Sequence, residues 1–260
     1  MGGSVLGDIV AGASSVFSAF GRVGSKPYLI VLGLCVALFA GGAWAGAVLS
    51  GGVSSLIGEV VGDSGLPQWA PAWIATVAGA VSALLTWVAV MMVVSIVGGA
   101  VILVILSPLL SHVADKEWVR AGHPEPHDTA ANVARSIARG ALVAVKYGLL
   151  QLLSLIALLL LSLVPIVGVA TPFVGLLVNS FFYGASFADY ALERSGRGAV
   201  ASIKFAHSHR AAMIGLGLPF AVAMLTPIIG SYIALFVAPA SAAAGVSVID
   251  SASAAMEQKD

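Results

Sequence analysis

Four long stretches without a formal charge limit what this chain can fold into. No Asp, Glu, Lys or Arg occurs over 27–58, 64–114, 147–188 and 211–249. Each stretch can cross a bilayer, because roughly 20 apolar residues suffice for one helical span. A charge at the centre of the bilayer would cost roughly 2.5 to 3.5 kcal/mol on the insertion scale. The sequence therefore predicts an all-α, polytopic integral membrane protein.

The composition excludes several functional classes. Charged residues make up 9% of the chain, against about 25% in soluble domains. The net charge of zero argues against a nucleic-acid partner. Phosphate-binding G-x-x-x-x-G-K-[ST], nucleophile G-x-S-x-G and zinc-binding H-E-x-x-H motifs are all missing from the sequence. We therefore expect no enzyme activity, no catalytic residues, no cofactor and no metal site.

The apolar and polar segments divide a single membrane domain, 1–260, into a series of elements. Residues 1–21 carry apolar side chains at helical spacing, which predicts an amphipathic helix in the membrane interface. The segment 50–68 reads as a loop or a short interfacial helix. The other predicted elements are transmembrane helices 27–49 and 69–111, polar segments 112–146 and 189–210, and helical hairpins 149–187 and 211–249.

The two hairpins share a turn sequence. Leu-Val-Pro-Ile-Val-Gly at 163–168 corresponds to Leu-Thr-Pro-Ile-Ile-Gly at 225–230, which indicates a weak internal repeat. Apolar arms of about 16 residues form roughly 24 Å of helix, less than a bilayer core of about 30 Å. These lengths favour two re-entrant hairpins, with four full spans as the alternative.

The basic residues predict the orientation of the chain. All 12 Lys and Arg residues lie outside 50–68, either before the first span, in the two polar segments, or near the C-terminus. Cytoplasmic loops carry the excess of Lys and Arg in membrane proteins. We therefore expect both termini and both polar segments to lie in the cytoplasm.

The order of these elements resembles a known family. Ser-Pro-Leu-Leu-Ser-His-Val-Ala-Asp at 107–115 closes the second long helix, and the two Pro-Ile-x-Gly turns follow. Together these motifs resemble the CysZ-type sulfate permeases over residues 15 to 250. The resemblance implies two full spans and two hemipenetrating hairpins in a bacterial inner-membrane protein. It also implies a homo-oligomer that admits sulfate, or a similar small oxyanion, for cysteine biosynthesis.

One motif departs from the family pattern. Family members open the first long helix with a Pro-Gly-[Ile/Leu]-Arg-Arg element implicated in sulfate binding, whereas this chain reads Lys-Pro-Tyr-Leu-Ile-Val at 26–31. Both arginines are missing from the matched positions. Asp115 matches the family's acidic position, and Arg135 and Arg139 are its candidate partners in an ion pair or along an ion pathway.

Arg22 and Lys26 form the best candidate anion site in the sequence. A buried dianion needs cations or fixed N–H donors in place of its water. Both residues precede or open a helix whose N-terminal amides and dipole favour anions. The same residues could instead serve only as cytoplasmic anchors. In place of a permease or channel, the chain could be a membrane scaffold or assembly protein that transports nothing.

Overall fold

The computed structural model of the chain describes residues 4–63, 77, 80, 81, 84, 87, 106–125, 130–226 and 229–257. Every regular element in these ranges is an α-helix, which confirms the all-α prediction. The helices are α1 (Val5–Val23), α2 (Ser25–Asp63), α3 (106–120), α4 (Ala130–Ser162), α5 (Pro165–Arg194), α6 (Ala199–Ser208), α7 (Arg210–Met224) and α8 (Ile229–Glu257).

Four of these helices are long and apolar enough to cross a membrane. The candidate spans are Ser25–Leu49, Val145–Ser162, Gly168–Arg194 and Ile229–Ala254. Their number and composition confirm the prediction of a polytopic membrane protein. Most of the predicted span 69–111 lies outside the described residues, and its described C-terminal part continues as α3 to residue 120.

The helix that contains the first span is longer than we predicted. α2 continues past Leu49 to Asp63, so this part of 50–68 is not a loop. Gly51 and Gly52 lie within this continuous helix, although each Gly costs about 1 kcal/mol in a helix interior. A continuous helix keeps the backbone N–H and C=O groups of the segment hydrogen-bonded to each other. Where water is scarce, this gain outweighs the cost of the two glycines.

The two hairpin turns contain the same backbone hydrogen bonds at corresponding positions. In the first turn the amide of Gly168 donates to the Val164 carbonyl at 2.7 Å, and in the second the amide of Gly230 donates to the Thr226 carbonyl at 2.8 Å. The amides of Leu163 and Leu225 likewise donate to the Leu160 and Val222 carbonyls, at 3.3 and 3.1 Å. The repeat seen in the sequence therefore corresponds to a repeated backbone conformation.

The hairpin arms extend beyond the apolar segments that suggested them. α4, α5 and α8 have 33, 30 and 29 residues, whereas α7 has 15. α4 and α5 continue into the polar segments, α8 continues past residue 249, and each of the three contains a candidate span. The short-arm argument therefore holds for α7 alone, and the re-entrant course of the hairpins stays a prediction.

The centre of the bundle is built from helices that approach each other at small residues. α7 lies between α1 and α5, where Gly215 packs against Gly12 of α1 and Gly217 packs against Ser180 of α5. Gly184 of α5 packs against the Met213 backbone of α7. Small residues at such crossings let helix backbones come close, as is typical of helix packing in membranes.

The N-terminal helix is packed on this centre through two small residues and one valine. Gly12, Val16 and Ala19 of α1 are buried, whereas Val10 and Phe17 on its large apolar stripe are exposed. The close approach of α7 at Gly215 leaves room only for small side chains on the buried face. Val10 and Phe17 remain exposed, and the interfacial placement of α1 stays a prediction.

Candidate functional site

A cluster of charged side chains lies at one end of the bundle, where α1, α3, α5 and α8 meet. α3 is its centre, because side chains of this helix and of the turn after it reach each of the other three. We call this group the charged-end cluster; it comprises Arg22, Asp115, Glu117, Arg120, His123, Arg194 and Asp250.

The strongest ion pair in the cluster joins α3 to α5. Arg194 Nε donates to Asp115 Oδ1 at 2.6 Å, and Arg194 Nη2 donates to Asp115 Oδ2 at 2.9 Å. Both side chains are largely buried, with 17% and 20% of their surfaces exposed. A bidentate guanidinium–carboxylate pair fixes both distance and orientation. This pair therefore fastens the end of α5 to α3.

A second group joins α1 to α3. Arg22 Nε lies 3.3 Å from Glu117 Oε2, and Arg120 donates from Nη1 to Glu117 Oε1. Arg120 Nη1 also donates to the backbone carbonyl of Arg22 at 3.3 Å. That carbonyl belongs to the last turn of α1, where helix carbonyls have no partner within the helix. Arg120 therefore caps α1 and binds the carboxylate that holds Arg22.

The third contact joins the turn after α3 to α8. His123 Nε2 lies 3.0 Å from Asp250 Oδ1, and the imidazole stacks on Trp118 with ring centroids 3.9 Å apart. About one third of each side chain in this pair is exposed. The stacked imidazole thus holds the C-terminal part of α8 beside α3.

The structure brings together only some of the residues that the sequence suggested. Arg22 lies in the last turn of α1 and Lys26 in the first turn of α2, with Gly24 between them at a φ of 79°. Both side chains are exposed. Asp115 pairs with Arg194, which the sequence did not suggest. The side chains of Arg135 and Arg139, on α4, lie outside the described part of the chain.

Several members of the cluster escaped sequence reasoning. Glu117 and Arg120 stand three positions apart on a helix, a spacing typical of ion pairs, so this contact could have been recognised. Arg194 and Asp250 lie far from their partners along the chain and had no local signal. Among the described residues, no group of three or more His, Cys, Asp or Glu side chains could hold a metal ion.

A pair of uncharged polar side chains lies within the apolar part of the first hairpin. Gln151 Nε2 donates to Asn179 Oδ1 at 2.7 Å and joins α4 to α5. Both residues fall inside candidate spans. Interhelical hydrogen bonds of this kind hold helices together in membranes. The pair supports the hairpin without placing a charge at membrane depth.

A comparison with protein families identifies the chain. The family described as "Sulfate transporter CysZ/Etoposide-induced protein 2.4" matches residues 15–239. The chain belongs to this family. A comparison with curated proteins gave no match. As a family member with four candidate spans, the chain is a multi-pass membrane protein of a sulfate-transporter type, and the resemblance seen in the motifs is confirmed.

Proposed function

We propose that this family member is a permease or channel for sulfate or a similar small oxyanion. The observation that carries the proposal is the family match over residues 15–239. The helical body supports it, since the four candidate spans provide a membrane domain. In the cell the imported sulfate would supply cysteine biosynthesis, and the protein would work in the bacterial inner membrane as a homo-oligomer.

The distribution of charge favours passive permeation. Transporters driven by protons place carboxylates or histidines at membrane depth. The four uncharged stretches contain no Asp or Glu, and their single histidine, His112, lies near the end of 64–114. Sulfate is fully ionised at neutral pH, so it needs donors along its path and gains nothing from a carboxylate. Passage would then follow the sulfate gradient, which cellular consumption of sulfate maintains.

The candidate anion-binding site, on the cytoplasmic side, is the start of α2. Arg22 and Lys26 offer two exposed cations there, and the first amides of α2 point toward the same place. Arg22 is held by Glu117 at 3.3 Å, so an anion would meet a site that already contains a carboxylate. The proposed site thus differs from the arginine pair of the family.

Sulfate flux into liposomes tests the proposed function directly. Purified protein is reconstituted, and uptake of labelled sulfate is compared with uptake by empty vesicles. We expect uptake above the empty-vesicle rate, and competition by other small oxyanions. Vesicles that contain folded protein and pass no anion would contradict the permease and favour a non-transporting scaffold.

A double substitution tests the site. Arg22→Gln with Lys26→Gln should weaken sulfate binding about tenfold or more, because each lost hydrogen bond to a charged group costs roughly 1.5 to 3 kcal/mol. Lys204→Gln with Arg210→Gln removes the same charge from two exposed positions on α6 and α7 and is the matched control. Equal sulfate affinity in the two double variants would mean that Arg22 and Lys26 are anchors only.

A further inference from the structure

Glu117 is a buried carboxylate held by two guanidinium groups. The residue is 8% exposed, whereas the side chains of Arg22 and Arg120 are 38% and 55% exposed. The carboxylate therefore lies on the inner side of the group, and both arginine side chains keep part of their surface exposed. Each guanidinium has five N–H donors, more than one carboxylate can accept.

The other arginine pair of the charged-end cluster shows how a closed ion pair differs from this group. Asp115 and Arg194 share two short hydrogen bonds, and both side chains are largely buried. At Glu117 the contact with Arg22 is longer, at 3.3 Å. Two exposed cations therefore share one carboxylate, which leaves the Glu117 group with an excess of positive charge.

Lys26 adds to this excess. It lies in the first turn of α2, two residues after Gly24, while Arg22 lies two residues before that glycine. The segment around Gly24 therefore creates a field of net positive charge, because Arg22 and Lys26 flank this glycine and Arg120 reaches the Arg22 carbonyl. Such a field attracts small anions, and a low-dielectric wall beside it strengthens the attraction.

We propose that Glu117 acts as an internal anion that competes with the transported oxyanion for Arg22 and Arg120. A carboxylate and a sulfate both offer paired oxygens that accept from a guanidinium fork, so the bound oxyanion takes over donors that Glu117 holds when the site is empty. Glu117 thereby lowers the affinity of the site. Weak binding suits a permease, because conduction requires that the ion can leave as well as enter.

This role rests on the proposed function, and it makes Glu117 a residue that sets the affinity of the same site. A purely structural ion pair predicts something different. Removing the Glu117 charge would then lower the thermal stability of the protein and leave sulfate affinity unchanged. Competition predicts that sulfate affinity rises, because the donors of both arginines become available to the ligand.

Sulfate titration of a Glu117→Gln variant separates the two roles. The full-length protein in detergent is titrated with sodium sulfate by isothermal calorimetry, with chloride holding the ionic strength constant. We expect the dissociation constant to fall about tenfold, as gaining a charge-assisted hydrogen bond predicts. Asp8→Asn removes a carboxylate from the first turn of α1, outside the charged-end cluster, and should leave the dissociation constant unchanged.

Two further variants make the test decisive. In an Arg22→Gln, Arg120→Gln background, Glu117→Gln should give no gain in affinity, because the donors that it frees are gone. If Glu117→Gln does not fold, Glu117→Asp keeps the charge but withdraws it from Arg22 by one methylene group, and it should also tighten sulfate binding. An unchanged or weaker affinity in the folded variant would overturn the proposal.

The flux assay keeps this outcome separate from that of the proposed function. Tighter binding by Glu117→Gln without flux in any vesicle would support the competition and contradict the permease. Flux in the unaltered protein with no gain in affinity in Glu117→Gln would support the permease and contradict the competition. Absence of sulfate binding in both the unaltered protein and Glu117→Gln would overturn the competition, whatever the flux.

Discussion

α4 and α8 contain candidate spans of equal mean hydropathy, 1.9, yet they differ completely in their surroundings. In α8, 78% of the span is buried inside the protein, whereas in α4 only 6% is buried. Hydropathy therefore explains why both segments belong in a membrane. It does not explain why one is central and the other peripheral.

The size of the side chains explains the difference. The buried residues of α8 include a series of alanines, namely Ala238, Ala240, Ala242, Ala243 and Ala244. The exposed residues of α4 are mostly leucines, namely Leu142, Leu149, Leu152, Leu153, Leu160 and Leu161. Lipid tails are as apolar as leucine, so only close packing, and not the hydrophobic effect, distinguishes the two positions. Small residues thus mark the centre of this bundle.

The largest effect should come from enlarging a glycine where two backbones meet. Gly184 of α5 lies directly against the Met213 carbonyl of α7, so Gly184→Leu forces the helices apart and should cost roughly 3 kcal/mol or more. Gly148→Leu on α4 is the matched control, because nothing lies within 4 Å of a Cβ at that position. Thermal denaturation of the detergent-solubilised variants measures the difference. Equal stability of the two variants would contradict the close contact of α5 and α7.

A smaller effect should follow from the same enlargement at an alanine. Ala244 of α8 is fully buried, whereas Ala157 of α4 is exposed. Ala244→Leu should lower the free energy of unfolding by about 1 to 3 kcal/mol through overpacking, and Ala157→Leu should change it by less than about 0.5 kcal/mol. Both variants are measured by the same denaturation assay. If Ala157→Leu were the more damaging of the two, the contrast between α4 and α8 would be wrong.

Hydropathy and turn chemistry made much of this fold predictable. Contacts between residues distant in the sequence could not be predicted. The uncharged stretches predicted the membrane helices, and Gly168 and Gly230 marked two turns that the structure builds alike. The sequence predicted a loop or a short interfacial helix after the first span, whereas α2 continues to Asp63. The pair of Asp115 with Arg194 was missed because sequence spacing carries no information about which helices meet.

The smallest effect should come from truncating an exposed leucine on α4. Leu153 is 62% exposed, so Leu153→Ala removes atoms that contact lipid or detergent and should alter the free energy of unfolding by less than about 0.5 kcal/mol. The same variant should keep its oligomeric size by light scattering if this face of α4 contacts lipid. A loss of about 1 kcal/mol or more, together with a smaller particle, would place a second copy of the chain on α4. The exposed leucines would then be an interface between subunits, and α4 would be buried in the oligomer as α8 is buried in the single chain.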